Sequence, residues 1–155
     1  MTYQYVWTDG SHPDFIAFSA CMEEYYNQMV GGAANRKSFI PYNALAEIHD
    51  VLIVYSQEKP IACAAFKAYN TTTMEVKRVW VSEAYRGQHI SKDMMTLLET
   101  RARQKGYDTA ILQTRAACTA AVALYQSIGY RKIKNYPPYD KMEAAVCYEK
   151  SLLSV

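Results

Sequence analysis

The stretch that decides the fold is Val76–Lys92, which reads VKRVWVSEAYRGQHISK. A β-strand runs into a short polar loop, and the loop opens a helix. Backbone N–H groups at a helix start lack partners inside the helix, and the helix dipole adds positive potential there. Arg86 supplies a cation and Gly87 lets the backbone approach a ligand closely. The stretch therefore predicts an anion site that could hold a pyrophosphate, although Arg-Gly also occurs in plain turns.

Apolar periodicity on both sides of this stretch predicts a mixed α+β domain. Ser11 and Pro13 stand where an N-cap and an early helical proline would start a first helix, which Gly31 and Gly32 would stop. Two further helices are predicted at Ser91–Lys105 and Thr119–Ser127. The predicted strands are residues 3–7, Val51–Tyr55, Ile61–Phe66, Met74–Ser82, Ala110–Thr114, Tyr130–Ile133 and Val146–Leu152. The strands between residues 51 and 82 form an antiparallel meander, and one parallel crossover follows it.

A second motif, ALYQSIGY, occupies residues 123–130. Together with the Arg86–Ser91 loop it resembles the GNAT superfamily of N-acetyltransferases. The acyl-CoA motif of that family reads Gln or Arg, two residues, Gly, one residue, Gly or Ala, and its later signature reads ALY, three residues, then GY or GF. The resemblance implies a GNAT-like acyl-CoA N-acyltransferase fold, in which helices flank a mixed, mostly antiparallel splayed sheet. Residues 1–155 are expected to form a single N-acetyltransferase domain.

The resemblance also implies where acetyl-CoA, the acyl donor, would bind. CoA would enter a V-shaped gap between the strand of Val79 and the strand of Leu112, and its pantetheine would pair with the strand backbone. The implied cofactor-binding residues are Val79, Trp80, Val81, Arg86, Gly87, Gln88, His89, Ile90, Ser91 and Lys92.

His89 and Ser91 depart from the family motif, which usually carries small residues at these two positions. Histidine tolerates left-handed backbone better than most residues, so the loop is expected to survive. Ser91 could act as the helix N-cap and as an anion donor. His89 could be a charge partner of the pyrophosphate or a solvent-exposed loop residue, and the sequence leaves both open.

The implied reaction moves an acetyl group to a primary amine by direct attack through a tetrahedral intermediate. Tyr125 matches the family tyrosine that protonates the CoA sulfur, and a backbone N–H of Val79–Val81 would stabilise the oxyanion. Glu75 falls where some members carry the catalytic base, whereas the alternative position holds Gln113. A solvated strand-edge carboxylate and a water chain remain alternatives to Glu75 as base. Cys118 stands where many relatives have an Asn that contacts the cofactor.

The family architecture implies two walls for the acceptor site. One wall comprises Tyr25, Tyr26 and Asn35–Tyr42, and the other is the segment Asn135–Asp140. Aromatic rings suit an amine, since cations sit favourably over their faces, and Asp140 could pair with an ammonium. Rigid loop packing is an equal interpretation of these residues.

Composition argues against two other functional classes, nucleic-acid-binding proteins and membrane proteins. The 155 residues contain 17 Lys and Arg against 15 Asp and Glu, and scattered basic residues argue against nucleic-acid binding. Arg101, Arg103 and Lys105 read as one solvated helix face. Apolar runs are too short for a membrane span, and MTYQYVWTDG lacks the features of a secretion signal, so a cytoplasmic protein without membrane partners is expected.

Cysteine and histidine positions predict neither a disulfide framework nor a metal site. The cysteines are dispersed and form no CxxC pair, so they read as buried free thiols; they are Cys21, Cys63, Cys118 and Cys147. The histidines are equally dispersed and suggest no metal cluster.

One other functional class remains open: a non-catalytic acyl-CoA-binding sensor or interaction domain of the same fold. The altered motif glycines would permit it, whereas the retained Tyr125 argues against it. The sequence leaves open the acceptor amine, which could be a peptide N-terminus, a lysine, a polyamine, an antibiotic or a small metabolite. It also leaves open the oligomeric state, a homodimer included.

Overall fold

In a computed structural model, which describes residues 2–30, 45 and 47–153, seven strands of the described chain form one sheet. Their order across the sheet is β1-β2-β3-β4-β5-β7-β6. The strands are β1 (Gln4–Thr8), β2 (Asp50–Ser56), β3 (Lys59–Ala68), β4 (Thr73–Val81), β5 (Thr109–Arg115), β6 (Arg131–Ile133) and β7 (Ala145–Ser151). The helices are α1 (Pro13–Val30), α2 (Ile90–Gln104) and α3 (Thr119–Ser127), and a 3₁₀ turn spans Glu83–Tyr85.

The strand pairing confirms the predicted mixed α+β topology. Strands β1 to β4 form an antiparallel meander, β4 pairs with β5 in parallel, and β7 is antiparallel to both β5 and β6. The β2–β3 hairpin is tighter than the sequence suggested, since Ser56 pairs with Lys59 and only Gln57 and Glu58 form the turn. Both turn residues have positive φ, 50° and 67°, which two-residue hairpin turns of this twist require.

Both faces of the central strands are buried, which explains why β2 and β3 are continuous apolar runs. On one face Val51 and Ile53 pack with Phe15, Phe18 and Met22 of α1. The opposite face packs on α2, and its buried residues include Leu52, Val54, Met94 and Leu98. Alternation of side chains along a strand assigns neighbouring residues to opposite layers. The sheet is therefore the middle layer between α1 and α2.

Helix α1 begins at the predicted proline, but Ser11 is not its cap. Pro13 is the first helical residue, so His12 occupies the flanking position. The Nδ1 of His12 accepts a hydrogen bond from the Asp14 N–H at 3.1 Å, while Ser11 donates to the Asp9 carboxylate instead. No helix in the part of the chain that the structure describes is long and apolar enough to span a membrane.

Arg101 and Lys105 keep 35% and 43% of their side chains exposed, in line with a solvated helix face, but they also make contacts that the sequence did not predict. Both side chains donate to Asp50 Oδ1, Arg101 at 2.8 Å and Lys105 at 2.5 Å. The Arg101 guanidinium also lies 4.3 Å from the centre of the Trp7 ring. These contacts join the end of α2 and the residue that follows it to β1 and β2, although water screens ion pairs that are this exposed.

The prediction of buried free thiols holds for only two of the four cysteines. Cys63 and Cys147 are buried, whereas Cys118 is half-buried and Cys21 is exposed; all four are free. Burial raises the pKa of the Cys147 thiol, which keeps this group neutral. Over residues 2–30, 45 and 47–153, no group of three or more His, Cys, Asp or Glu is placed to hold a metal ion.

A buried charge network joins α2 to the last strand. Glu99 of α2, 6% exposed, accepts a hydrogen bond from the Tyr130 hydroxyl at 3.0 Å. The Lys150 ammonium of β7 donates to the other carboxylate oxygen of Glu99 at 2.8 Å. Removing one member of a buried network costs more than the network contributes, because its partners stay desolvated.

Replacing Glu99 with alanine is expected to lower the free energy of unfolding by about 2–3 kcal/mol. The change strands the Tyr130 hydroxyl, while the Lys150 side chain, 29% exposed, can recover some hydration. Urea unfolding of Glu99→Ala beside Glu58→Ala, a change in the exposed hairpin turn, measures the difference. Equal stabilities for the two variants would show that the network contributes nothing.

Candidate active site

The site is organised by the divergence of two parallel neighbours, β4 and β5. They pair only between Thr73–Glu75 and Thr109–Ile111. Beyond Glu75 they separate, and a cavity, the central cleft, opens between them. The central cleft is lined by residues 75–79 of β4, residues 112–115 of β5, Met22 and Tyr26 of α1, and Cys118, Ala121 and Tyr125. This is the V-shaped gap that the resemblance implied between the strands of Val79 and Leu112.

A β-bulge at Arg78 changes the direction of the β4 side chains where the cleft opens. Cys63 of β3 pairs with Trp80, but Ala65 pairs with Lys77, so β4 carries one extra residue opposite Ala64. Arg78 takes up the irregularity with φ of 56°, and its carbonyl accepts a hydrogen bond from the Cys63 thiol at 3.3 Å. Bulges increase the twist and change which way neighbouring side chains point. The sequence carries no Gly or Asn here that would have indicated the bulge.

A second cavity, the loop groove, lies where β4 runs into α2. It is lined by residues 79–81, 85–87 and 89–92 and by Ala120, Ala121, Leu124 and Tyr125 of α3. Of the residues expected to bind the cofactor, all but Gln88 line this groove. Gln88 instead accepts a hydrogen bond from the Tyr3 hydroxyl, which fastens the loop to the start of the chain.

Left-handed backbone shapes the loop before α2. Gly87 has φ of 81° and His89 has φ of 64°, so His89 adopts the left-handed conformation that was expected of it. The expectation that Ser91 caps α2 is wrong, because His89 occupies the N-cap position and Ser91 is the second helical residue. The helical ladder begins with Asp93 N–H donating to His89 O at 3.1 Å. The N–H groups of the first helical residues are therefore left to face an anion.

Arg86 closes the loop as well as lining the groove. Its Nε donates to the Val81 carbonyl at 2.8 Å, and its guanidinium lies 5.0 Å from the centre of the Trp80 ring. These contacts hold the guanidinium beside β4. Arg86 therefore contributes positive potential from a fixed position.

Tyr125 lies where the two cavities meet. It lines both the central cleft and the loop groove, as do Val79 and Ala121. Burial raises the pKa of the Tyr125 phenol, with smaller contributions from Tyr26 and Cys118. The phenol therefore keeps its proton at neutral pH and can donate it.

Glu75 is a buried carboxylate at the narrow end of the central cleft. It is 4% exposed and accepts a hydrogen bond from the Tyr136 hydroxyl at 2.7 Å. The Lys77 ammonium lies 3.5 Å from its other oxygen. Burial, and secondly the charge of Glu75, raise the pKa of Tyr136, so the phenol remains a donor. Glu75 is thus held in place, and the alternative of a solvated strand-edge carboxylate is wrong.

The two expected acceptor walls differ in the structure. Tyr26 lines the central cleft, whereas Tyr25 is exposed and packs edge-on against Trp80; Asn35–Tyr42 lies outside the described residues. Tyr139 is 2% exposed, and the Lys77 ammonium already donates to its hydroxyl at 3.0 Å. The Tyr139 ring therefore supports the loop and offers no open face to a ligand.

The remaining residues of the second wall organise that loop. The Asn135 side-chain amide donates to the carbonyls of Tyr139, Met142 and Ala145 at 3.0–3.3 Å. Asp140 is exposed and does not line the central cleft.

Sequence reasoning missed three cleft residues, namely Lys77, Arg78 and Arg115. All three line the central cleft, and Arg78 is paired with Glu23 of α1 at 2.9 Å. The sequence offered little signal, because a basic residue in a strand is usually solvated. The one available hint was that Lys77 and Arg78 fall inside the motif stretch, next to the predicted oxyanion strand.

The sheet order, the splayed β4–β5 pair and the loop groove define an acyl-CoA N-acyltransferase fold. The chain belongs to the acetyltransferase (GNAT) family, whose model matches residues 3–130. Both motifs that carried the resemblance, Arg86–Ser91 and Ala123–Tyr130, lie within the match.

Individual proteins agree with this assignment. The chain is 27% identical over 96 residues to "Probable N-acetyltransferase 14" of Xenopus tropicalis, covering 61% of this chain and 47% of that protein. A GNAT family acetyltransferase structure from Staphylococcus aureus Mu50 has a TM-score of 0.76 at 14% identity, with coverage of 97% and 99% of the two chains. A GNAT family acetyltransferase from Elizabethkingia anophelis, solved with acetyl-CoA bound, has a TM-score of 0.71 at 15% identity, with coverage of 96% and 97%. The chain spans less than half the length of the curated relatives it matches.

Proposed function

We propose that the protein is an N-acetyltransferase that moves an acetyl group from acetyl-CoA to a primary amine by direct attack, with residues 1–155 acting as a single domain. The observation that carries the proposal is the junction at Tyr125, where the loop groove meets the central cleft. CoA would lie along the loop groove and enter the central cleft at this junction, and the acceptor amine would meet its thioester there. Membership of the GNAT family supports acetyl transfer as the chemistry.

The loop groove fits the phosphates of CoA. The loop presents the N–H groups that open α2, and a Cβ built at Gly87 meets nothing within 4 Å, so the backbone faces open space. Arg86, His89 and Lys92 line the same groove. Acetyl-CoA supplies an acetyl group activated as a thioester. The edge of β4 that β5 leaves beyond Glu75 is the proposed partner of the pantetheine amides.

The reaction needs three contributions from residues of this chain: a proton donor, a group that stabilises the oxyanion, and a base. Tyr125 would hold a proton for the departing sulfur, since burial keeps the phenol protonated. Backbone N–H groups of Val79–Val81 would stabilise negative charge on the carbonyl oxygen. Glu75, in the same cleft, would take up the proton that the amine loses, directly or through water.

An amine panel with acetyl-CoA, followed by release of the CoA thiol, tests the proposal directly. Calorimetry with CoA alone is the second measurement. It is needed because a sensor would bind CoA without turnover. Turnover of at least one amine supports an enzyme. Binding of CoA with no thiol release across the panel overturns the enzyme and leaves a sensor of the same fold.

Tyr125→Phe is expected to lower kcat by about 10- to 100-fold while CoA affinity and thermal stability change little. Phenylalanine keeps the ring that packs edge-on against Tyr130, and only the proton donor is lost. Because burial raises the pKa of the Tyr125 phenol above its ordinary value, any high-pH limb of the rate profile is expected to be the same in the two proteins. The measurement is kcat under conditions where chemistry is shown to limit the rate.

Tyr107→Phe is the matched control for Tyr125→Phe, because Tyr107 packs edge-on against Phe66 away from both cavities. Its kcat is expected to equal that of the wild type. An unchanged kcat in Tyr125→Phe would remove Tyr125 from the mechanism and leave water as the proton source.

A further inference from the structure

The Tyr136 hydroxyl reaches Glu75, the proposed base, from outside both cavities. Glu75 lines the central cleft, whereas Tyr136 lines neither the central cleft nor the loop groove. The hydroxyl donates to Glu75 Oε2 at 2.7 Å. Tyr136 is therefore not placed to contact a ligand in either cavity, and an effect of its hydroxyl on the reaction would pass through the carboxylate of Glu75.

The two carboxylate oxygens of Glu75 have different neighbours. Oε2 accepts the hydrogen bond from Tyr136, while Oε1 lies 3.5 Å from the ammonium of Lys77, which also lines the central cleft. The last torsion of a glutamate side chain has broad minima, so the side chain alone does not fix the plane of its carboxylate. The hydrogen bond from Tyr136 is the shorter of the two contacts and fixes that plane.

The Tyr136 ring is itself held in place. It packs edge-on against the rings of Tyr69, at 5.2 Å, and Tyr139, at 5.7 Å. The backbone carbonyl of Tyr136 accepts a hydrogen bond from the Tyr139 N–H at 2.8 Å. The hydroxyl of Tyr69 donates to the carbonyl of Pro137, the next residue in the chain, at 2.9 Å. A hydroxyl on a ring that is held in this way can set the position of its partner.

The contact also suits the charge that a base must carry. Glu75 is 4% exposed, and a buried carboxylate needs hydrogen bonds to remain ionised. A hydrogen bond to the charged form of a carboxyl group favours that form. Burial, and secondly the charge of Glu75, raise the pKa of Tyr136, so its phenol stays protonated and continues to donate.

Resting on the proposed acetyl transfer with Glu75 as base, we propose that Tyr136 is a positioning residue, whose hydroxyl holds the Glu75 carboxylate ionised and correctly oriented. The proton moves from the amine nitrogen to Glu75, directly or through water, as the nitrogen bonds to the acetyl carbon. Tyr136 keeps its own proton throughout. The sequence placed Tyr136 in a wall of the acceptor site, but its hydroxyl is already engaged by Glu75.

Tyr136→Phe is expected to lower kcat by about 10-fold, less than the loss of the base itself. The KM for the amine and the Kd for CoA should stay within about 2-fold of the wild type, because Tyr136 lies outside both cavities. Tyr69→Phe is the matched control. It removes a hydroxyl that bonds to the same loop but makes no hydrogen bond to Glu75, and its kcat should equal that of the wild type.

A double-mutant cycle distinguishes positioning of Glu75 from a merely structural role. Adding Tyr136→Phe to Glu75→Gln is expected to change kcat by less than about 2-fold, because the group that Tyr136 positions is already lost. A structural role would instead lower kcat by the same factor in both backgrounds, and that result overturns the proposal. All rates are measured as thiol release from acetyl-CoA at a pH where the amine is neutral, and thermal melting establishes that each variant is folded.

The same set of variants separates failure of this inference from failure of the proposed function. A wild-type kcat in Tyr136→Phe, with Glu75→Gln impaired, overturns the positioning role alone. A fall in kcat of less than 10-fold in Glu75→Gln removes Glu75 as base and the role of Tyr136 with it, while acetyl transfer stands. Absence of turnover by the wild type with every amine overturns acetyl transfer and this assignment together.

Discussion

Replacing Gly87 with glutamate is expected to weaken binding of CoA and acetyl-CoA by at least 100-fold. Gly87 lines the loop groove beside the start of α2, and open space surrounds the position that a Cβ would take there, so a glutamate side chain has room to enter the groove. A like charge at about 4 Å from a phosphate costs about 4 kcal/mol at an effective dielectric of 20. Counter-ions reduce that figure, and a loss of about 100-fold in Kd remains a conservative expectation.

Two controls separate charge from backbone strain. Gly87→Ala adds a Cβ at the same φ of 81° and introduces no charge, so it measures the strain alone. Gly106→Glu places the same side chain at φ of 95° just beyond α2, away from both cavities. Calorimetry with CoA gives Kd for each protein. If Gly87→Glu binds CoA as tightly as Gly87→Ala, the phosphates do not lie in the loop groove.

Glu75→Gln is expected to lower kcat by about 10²- to 10⁴-fold, the usual contribution of a positioned acid or base. Glutamine keeps the volume of the side chain and an oxygen that can accept the Tyr136 hydrogen bond. CoA affinity should therefore remain, since Glu75 does not line the loop groove. The measurement is kcat and kcat/KM against pH for the best amine of the panel.

The size of the fall in kcat assigns the role of Glu75. The comparison is made at a pH where the acceptor amine is neutral, because protonation of the amine lowers activity toward acid pH whether or not Glu75 is the base. Glu58→Gln, in the exposed hairpin turn, should retain the wild-type profile. A fall in kcat of less than 10-fold would make a water chain the base and leave Glu75 a structural role.

Most of the fold could be predicted from local patterns. The bounds of α3 agree with the prediction, and α2 begins one residue before the predicted Ser91. Periodicity and stop signals such as Gly106 and Gly129 act over a few residues, so one sequence carries them. The β2–β3 hairpin was predicted, but its tight turn at Gln57–Glu58 was not, because neither residue commonly adopts positive φ.

The two motifs also predicted the composition of the loop groove, where Gly87 and His89 adopt left-handed backbone. The sequence did not predict hydrogen bonds between this loop and residues that are distant along the chain. Gln88 accepts a hydrogen bond from Tyr3, which is 85 residues away along the chain, and no local pattern predicts that contact. The N-cap of α2 was predicted at Ser91 but lies at His89. Serine is the usual N-cap residue, and histidine is not.

By itself the sequence determined the order of strands and helices, the glycine loop that opens α2 and the position of Tyr125 in the chain. Only the tertiary structure decided that β4 bulges at Arg78, that β4 and β5 part beyond Glu75, and that Lys77, Arg78 and Arg115 share one cleft. Propensity and capping act between near neighbours, whereas these features depend on contacts such as Glu75 with Tyr136, 61 residues apart. Packing brings such groups together, and no local pattern in the sequence predicts which groups will meet.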